Sequence, residues 1–147
     1  MLGRLVVGVV LAGSLVGCAT SYEKPVITGQ VYEVAVVDSD KALQLIKNKL
    51  FMRMYALTSD EVSIRTAHKF SELTPEQADC GTTMGIDYLK DSRTEEYVSI
   101  NVMAESGKIK VVTDIYAKYL VGDGLHGKRM KCVSKGLIER EVLSWVE

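Results

Sequence analysis

Histidine, proline and cysteine are scarce in this chain, with two, two and three copies among 147 residues. A zinc site needs three or four His, Cys or carboxylate ligands at suitable spacing. His68 and His126 are far apart in sequence, and no metal site is expected from them. Charge of one sign is also missing: 18 basic against 19 acidic residues leave a net charge of −1. A nucleic-acid module would normally carry a strong basic excess, so that class is set aside. There is no low-complexity tract and no repeat at solenoid periods. Neither a Gly-x-Ser-x-Gly elbow nor a phosphate-binding glycine loop occurs. Glu95 and Glu96 are adjacent on an expected strand and so point to opposite faces, which disqualifies them as a carboxylate pair. Met52 and Met54 lie two apart on an expected helix and read as core, not as copper ligands. The expectation is a protein without cofactor and without enzymatic activity.

What the chain does have is one long apolar run. Leu5 to Val16 carries no charge and follows Arg4. It is shorter than the roughly 20 residues that span a bilayer. A positive start, a short apolar middle and a small-residue exit describe a secretory signal peptide. The run ends in Leu15-Val16-Gly17-Cys18. This resembles the bacterial lipobox, with a large aliphatic residue three before a cysteine and a small residue just before it. The resemblance implies that the Cys18 thiol takes a diacylglyceryl group, that the peptide is cut between Gly17 and Cys18, and that the new amine is acylated. Each buried methylene contributes about 0.8 kcal/mol, so two or three chains on one residue make a lasting anchor. Residue 19 is Ala, not the aspartate that favours inner-membrane retention in enteric-type bacteria. The expected location is therefore the outer membrane, with the domain in the periplasm.

In an oxidising compartment the remaining Cys80 and Cys132 are expected to pair, two separate buried thiols being the other reading. The domain plan is a signal peptide over 1–17, a lipidated N-terminus and tether over 18–28, and one domain over 29–147.

Within that domain, "QVYEVAVV" alternates as a strand with Tyr32, Val34 and Val36 on one face. Asp38-Ser39-Asp40 offers a helix cap. The next segment spaces Leu43, Ile46, Leu50, Met54 and Leu57 as an amphipathic helix. "EVSIRTAHKF" alternates with Val62, Ile64, Thr66 and His68 on one face, and "TMGIDYL" reads as a short strand. "EYVSINVMAE" and "KIKVVTDIYAKYL" are the clearest strands, joined by Glu105-Ser106-Gly107 as a tight hairpin. Gly122 to Lys131 reads as a glycine-rich basic loop, and "SKGLIEREVLSWVE" as a terminal helix capped by Ser134. The expected fold is a two-layer α+β sandwich, an antiparallel sheet of about four or five strands with two helices on one face. Cys132, Ser134, Gly136 and Glu139, just before and within the last helix, resemble the ending of small proteobacterial lipoproteins. The layout is similar to the helix-grip modules of BamC-type lipoproteins.

The expected role is that of a structural or interaction module with an unidentified envelope protein as partner. Its surface would be the wet sheet face (Ser99, Asn101, Lys110, Asp114, Tyr116, Lys118) and the basic residues His126, Lys128, Arg129 and Lys131. The alternative is a module binding peptidoglycan fragments or a small apolar molecule, with Phe51, Met52, Met54, Tyr55 and Trp145 lining a cavity.

Overall fold

The computed structural model describes residues 22–26, 30–121 and 126–147, and the side chains of Val121 and His126 are not among what it describes. The signal segment, the Gly17–Cys18 cleavage site and Cys18 itself lie outside the described residues. In chain order the strands are β1 (Tyr22–Glu23), β2 (Tyr32–Ala35), β3 (Leu57–Ser59), β4 (Ser63–Thr66), β5 (Lys69–Phe70), β6 (Ala78–Asp79), β7 (Thr82–Thr83), β8 (Ile86–Asp87), β9 (Thr94–Glu105), β10 (Lys108–Val121) and β11 (His126–Ser134). The helices are α1 (Ser39–Met52) and α2 (Leu137–Leu143).

The β9–β10 hairpin forms the middle of the molecule, in register from Lys108 opposite Glu105 to Tyr119 opposite Thr94. β4 and β5 line the outer edge of β9, and β3 lies beyond β4. The opposite edge of β10 carries two strands end to end. β2 pairs with Lys108–Val111 and β11 with Ile115–Val121. β6 closes that side by pairing with the end of β11, while β1, β7 and β8 form a separate three-stranded sheet.

The expected sandwich of four or five strands under two helices is therefore wrong. Strands make up 46% of the described residues, in an eight-stranded antiparallel sheet and a three-stranded one, and both helices are short. The extra strands were hidden because most are two to four residues long, too short to display alternation. The supposed basic loop is also partly strand. From His126 onward it is β11, with Met130 and Cys132 buried opposite Ala117 and Ile115. Likewise "TMGIDYL" is not one strand but the β7–β8 hairpin. Tyr22 and Glu23, within the stretch expected to be a tether, pair with Thr83 and Thr82.

One face of the large sheet is the core. Val98, Ile100 and Val102, with Ile109, Val111 and Ile115, are at most 2% exposed. α1 lays Ala42, Leu43, Ile46 and Leu50 on the same core, and α2 adds Val142 and Leu143. α1 starts where Asp38 accepts the Lys41 N–H at 3.0 Å. It stops at Arg53, because Met54 turns to a left-handed φ of 64°. Met54 and Leu57 therefore leave the helix they were expected to continue. α2 starts at Gly136, whose φ of 85° and close approach to the Tyr32 ring leave no room for a Cβ. Ser134 is not the cap residue. Its hydroxyl instead accepts the Gly136 N–H at 3.1 Å and donates to Glu139 at 2.7 Å.

Thr94 is 8% exposed, and among the described residues its buried hydroxyl has no partner. An unsatisfied buried hydroxyl costs free energy that a methyl group does not. Thr94→Val should raise stability by about 1 kcal/mol in urea denaturation. A lower midpoint than that of the unsubstituted chain would contradict the assignment.

Candidate functional site

The face of the large sheet turned away from the core carries a row of aromatic rings. Register creates it. Phe70 on β5 lies opposite Tyr97 on β9, and Tyr97 lies opposite Tyr116 on β10. Neighbouring strands are about 4.8 Å apart, so directly opposite side chains on one face must touch. The Tyr97 and Tyr116 rings stack at 4.9 Å with 13° between their planes. Phe70 meets Tyr97 edge-on at 6.1 Å. His68 packs on Tyr116 at 4.9 Å, and its Nε2 lies 3.1 Å from Asp114 Oδ2.

Cations cap the row. The Arg129 guanidinium sits 3.7 Å from the Tyr116 ring centre, well inside the range of attraction between a cation and an aromatic face. Lys131 lies opposite Tyr116, and Arg129 opposite Lys118, in the β10–β11 register. At the other end the Tyr97 hydroxyl donates to Glu95 at 3.1 Å, and that bond to a carboxylate pushes the tyrosine pKa up. The result is an open strip of tyrosine, arginine and lysine bordered by carboxylates. Tyrosine gives large contact area at low entropic cost and arginine gives multiple directional bonds, and both are enriched at interface hot spots.

A second feature lies where β10 and β11 part. Beyond the Ile115–Cys132 pair, β11 leaves to join β6, and a cleft of about 670 Å³ opens toward β2. Tyr22, Tyr32, Val112, Lys128 and Met130 line it. Glu139 also faces it, although only 2% exposed. Its carboxylate accepts hydrogen bonds from the hydroxyls of Thr113 and Ser134. A smaller cavity of about 420 Å³ is lined by Tyr55, Lys69, Leu73 and Trp145.

The expected site residues are placed unevenly. Asn101, Lys110, Asp114, Tyr116 and Lys118 lie on the outer face, joined by Arg129 and Lys131 from β11. Ser99 shares their register but is buried, at 4% exposed. Lys128 points to the other face and lies over the Tyr22 ring at 4.5 Å. His126 begins β11, opposite Val121. Tyr55 and Trp145 do line a cavity, but Phe51, Met52 and Met54 do not, being 71%, 71% and 80% exposed. His68, expected on the inward face with Ile64 and Thr66, lies on the outer face because β4 ends at Thr66 and the alternation breaks there. Glu96 is buried at 6% exposed while Glu95 reaches the tyrosine row, so the two diverge. Burial raises the Glu96 pKa above the usual carboxylate range. Cys80 and Cys132 form a disulfide. Among the described residues no cluster of three or more potential metal ligands occurs.

Phe70 and Tyr97 were not singled out by sequence, and Glu139 was named there only within a spacing pattern, not as a buried carboxylate. Tyrosines at wet positions of two adjacent strands were the available signal for the row. Glu139 gave no signal beyond its place in the Cys132–Glu139 pattern. Comparison with family models, curated proteins and solved structures returned no match to this chain.

Proposed function

We propose that this chain is a lipid-anchored envelope protein, held at the outer membrane through Cys18, whose periplasmic domain works by contact with another envelope protein. The reading of the anchor rests on the lipobox residues Leu15 to Cys18. The reading of the contact rests on one observation: the Phe70–Tyr97–Tyr116 row with Arg129 over it, on a face that the core does not use. Such a row suits an interface because tyrosine and arginine are enriched at hot spots, where truncating one side chain costs about 2 kcal/mol or more of binding energy, roughly thirtyfold in affinity.

In cells carrying the full chain, Tyr116→Ala and Arg129→Ala should each abolish cross-linking to the partner while leaving abundance unchanged. Recovery of the same cross-linked species from both variants would refute the contact surface. Separately, incorporation of labelled fatty acid should vanish in Cys18→Ala. Persistent labelling there would refute the anchor.

The 670 Å³ cleft favours a second reading, a module that binds peptidoglycan fragments or a small apolar molecule. Ligands that bind the native state raise the melting temperature. A muropeptide that did so for the unsubstituted chain, and not for Val112→Trp, would favour this reading over the first.

A further inference from the structure

The small sheet fixes the direction of β1. β1 runs antiparallel to β7, with Glu23 opposite Thr82 and Tyr22 opposite Thr83. Tracing β1 backwards therefore leads toward the β7–β8 turn at Met84–Gly85. Both turn residues have positive φ, 51° and 75°, the arrangement that suits a two-residue hairpin. The turn holds two large apolar side chains out in solvent, Met84 at 76% and Ile86 at 59% exposed.

β1 is firmly attached there. The Tyr22 hydroxyl donates to the Cys80 carbonyl at 3.3 Å, and the Tyr22 ring packs on Tyr88 at 5.9 Å. Gly81 has a φ of 85°, and a Cβ on it would lie 2.3 Å from the Glu23 carbonyl oxygen, so the two backbones touch. The Cys80–Cys132 disulfide ties this corner to β11. Exposed Lys24 and Lys128 add positive charge, Lys128 directly over Tyr22.

Tyr22 lies only four positions after Cys18, and an extended chain of that length reaches about 14 Å. On the lipid-anchor reading, on which this inference rests, the bilayer surface is never farther than that from β1. We infer that the Met84–Ile86 hairpin tip is a second membrane contact, seated in the interfacial layer of the phospholipid leaflet that holds Cys18. Apolar side chains gain by entering that layer, and nearby lysines gain from anionic headgroups. A single point of attachment does not define the domain's tilt; the hairpin supplies a second one and sets it. The exposed methionines at the end of α1 do not share this role, since α1 leads into β3, which forms the opposite edge of the large sheet.

The test uses the full-length lipidated protein in vesicles of phosphatidylethanolamine and phosphatidylglycerol. Met84 and Met54 are similarly exposed, at 76% and 80%, so peroxide should oxidise them at similar rates unless one is covered. The expected result is Met84 oxidised about fivefold or more slowly than Met54. Equal rates, or protection of Met54 instead, overturn the inference. A second measurement places Met84→Trp, or Thr58→Trp on β3, in a Trp145→Phe chain. Brominated phospholipid should quench the first and spare the second, and quenching of neither or of both overturns the inference. Mass spectrometry of the same preparation separates the two readings. An unmodified Cys18 removes the anchor and this contact with it. An acylated Cys18 beside an unprotected Met84 removes the contact alone.

Discussion

Replacing Cys80 and Cys132 together by alanine should lower the free energy of unfolding by about 4 kcal/mol in the chain-entropy account of a cross-link. The two residues are 52 positions apart, and closing a loop of that length removes much of the freedom of the unfolded chain. The bridge also joins the small sheet to β11, at residues 0% and 5% exposed. Domains are typically stable by only 5–15 kcal/mol, so such a loss takes a large fraction of the whole. Urea titrations with and without reductant should show the same difference in the unsubstituted chain and none in the double variant. A shift under about 1 kcal/mol would mean that the unfolded chain is already constrained without the bridge.

The second large effect is expected at Glu139. Glu139→Ala should cost about 3 kcal/mol, because it strands two hydroxyls that share one acceptor. Glu139 stands in the first turn of α2, where a carboxylate also benefits from the helix dipole. In an ordinary capping box a glutamate at this place would reach back to the cap N–H directly. Here the Gly136 N–H reaches Ser134, Ser134 reaches Glu139, and Glu139 takes Thr113 from β10. The carboxylate thus clamps α2, β10 and the departing end of β11 together. Glu139→Gln keeps an acceptor oxygen and the shape, and should lose less than half as much. Equal losses in the two variants, or a loss in Ala below about 1 kcal/mol, would show that packing and not the hydroxyl clamp governs the site.

Legibility in the sequence tracked the length of the elements. β9 and β10 alternate over 12 and 14 residues, so their faces, their hairpin and the outward position of Tyr116 could be read directly. The Asp38 cap was equally plain. Strands such as β5, β6 and β7 have two residues each and exist only because a neighbour offers them a partner. The strand count, and with it the fold class, was therefore misjudged. In β11, Lys128, Arg129 and Lys131 concealed the inward Met130 and Cys132 and made a strand look like a loop. The tyrosine row depends on register between strands, which no single segment encodes. The Cys132–Glu139 pattern was visible as a spacing, but its chemistry was not: a bridge, a hydroxyl relay, a left-handed glycine under Tyr32 and a buried carboxylate.

The crowded edge of β10 has a kinetic consequence. Pairing across the Ser106–Gly107 turn closes almost no loop, and β11 follows β10 closely, with His126 opposite Val121, whereas β2 must come from far back in the chain to reach Lys108–Val111. The β9–β10–β11 run should accordingly pair first and β2 dock later, with amides in β9 and β10 gaining protection from hydrogen exchange before those of β2. β2 then finds only one stretch of β10 still vacant. A neighbour already in place thereby forbids the one-residue slips that an open fourteen-residue edge would invite.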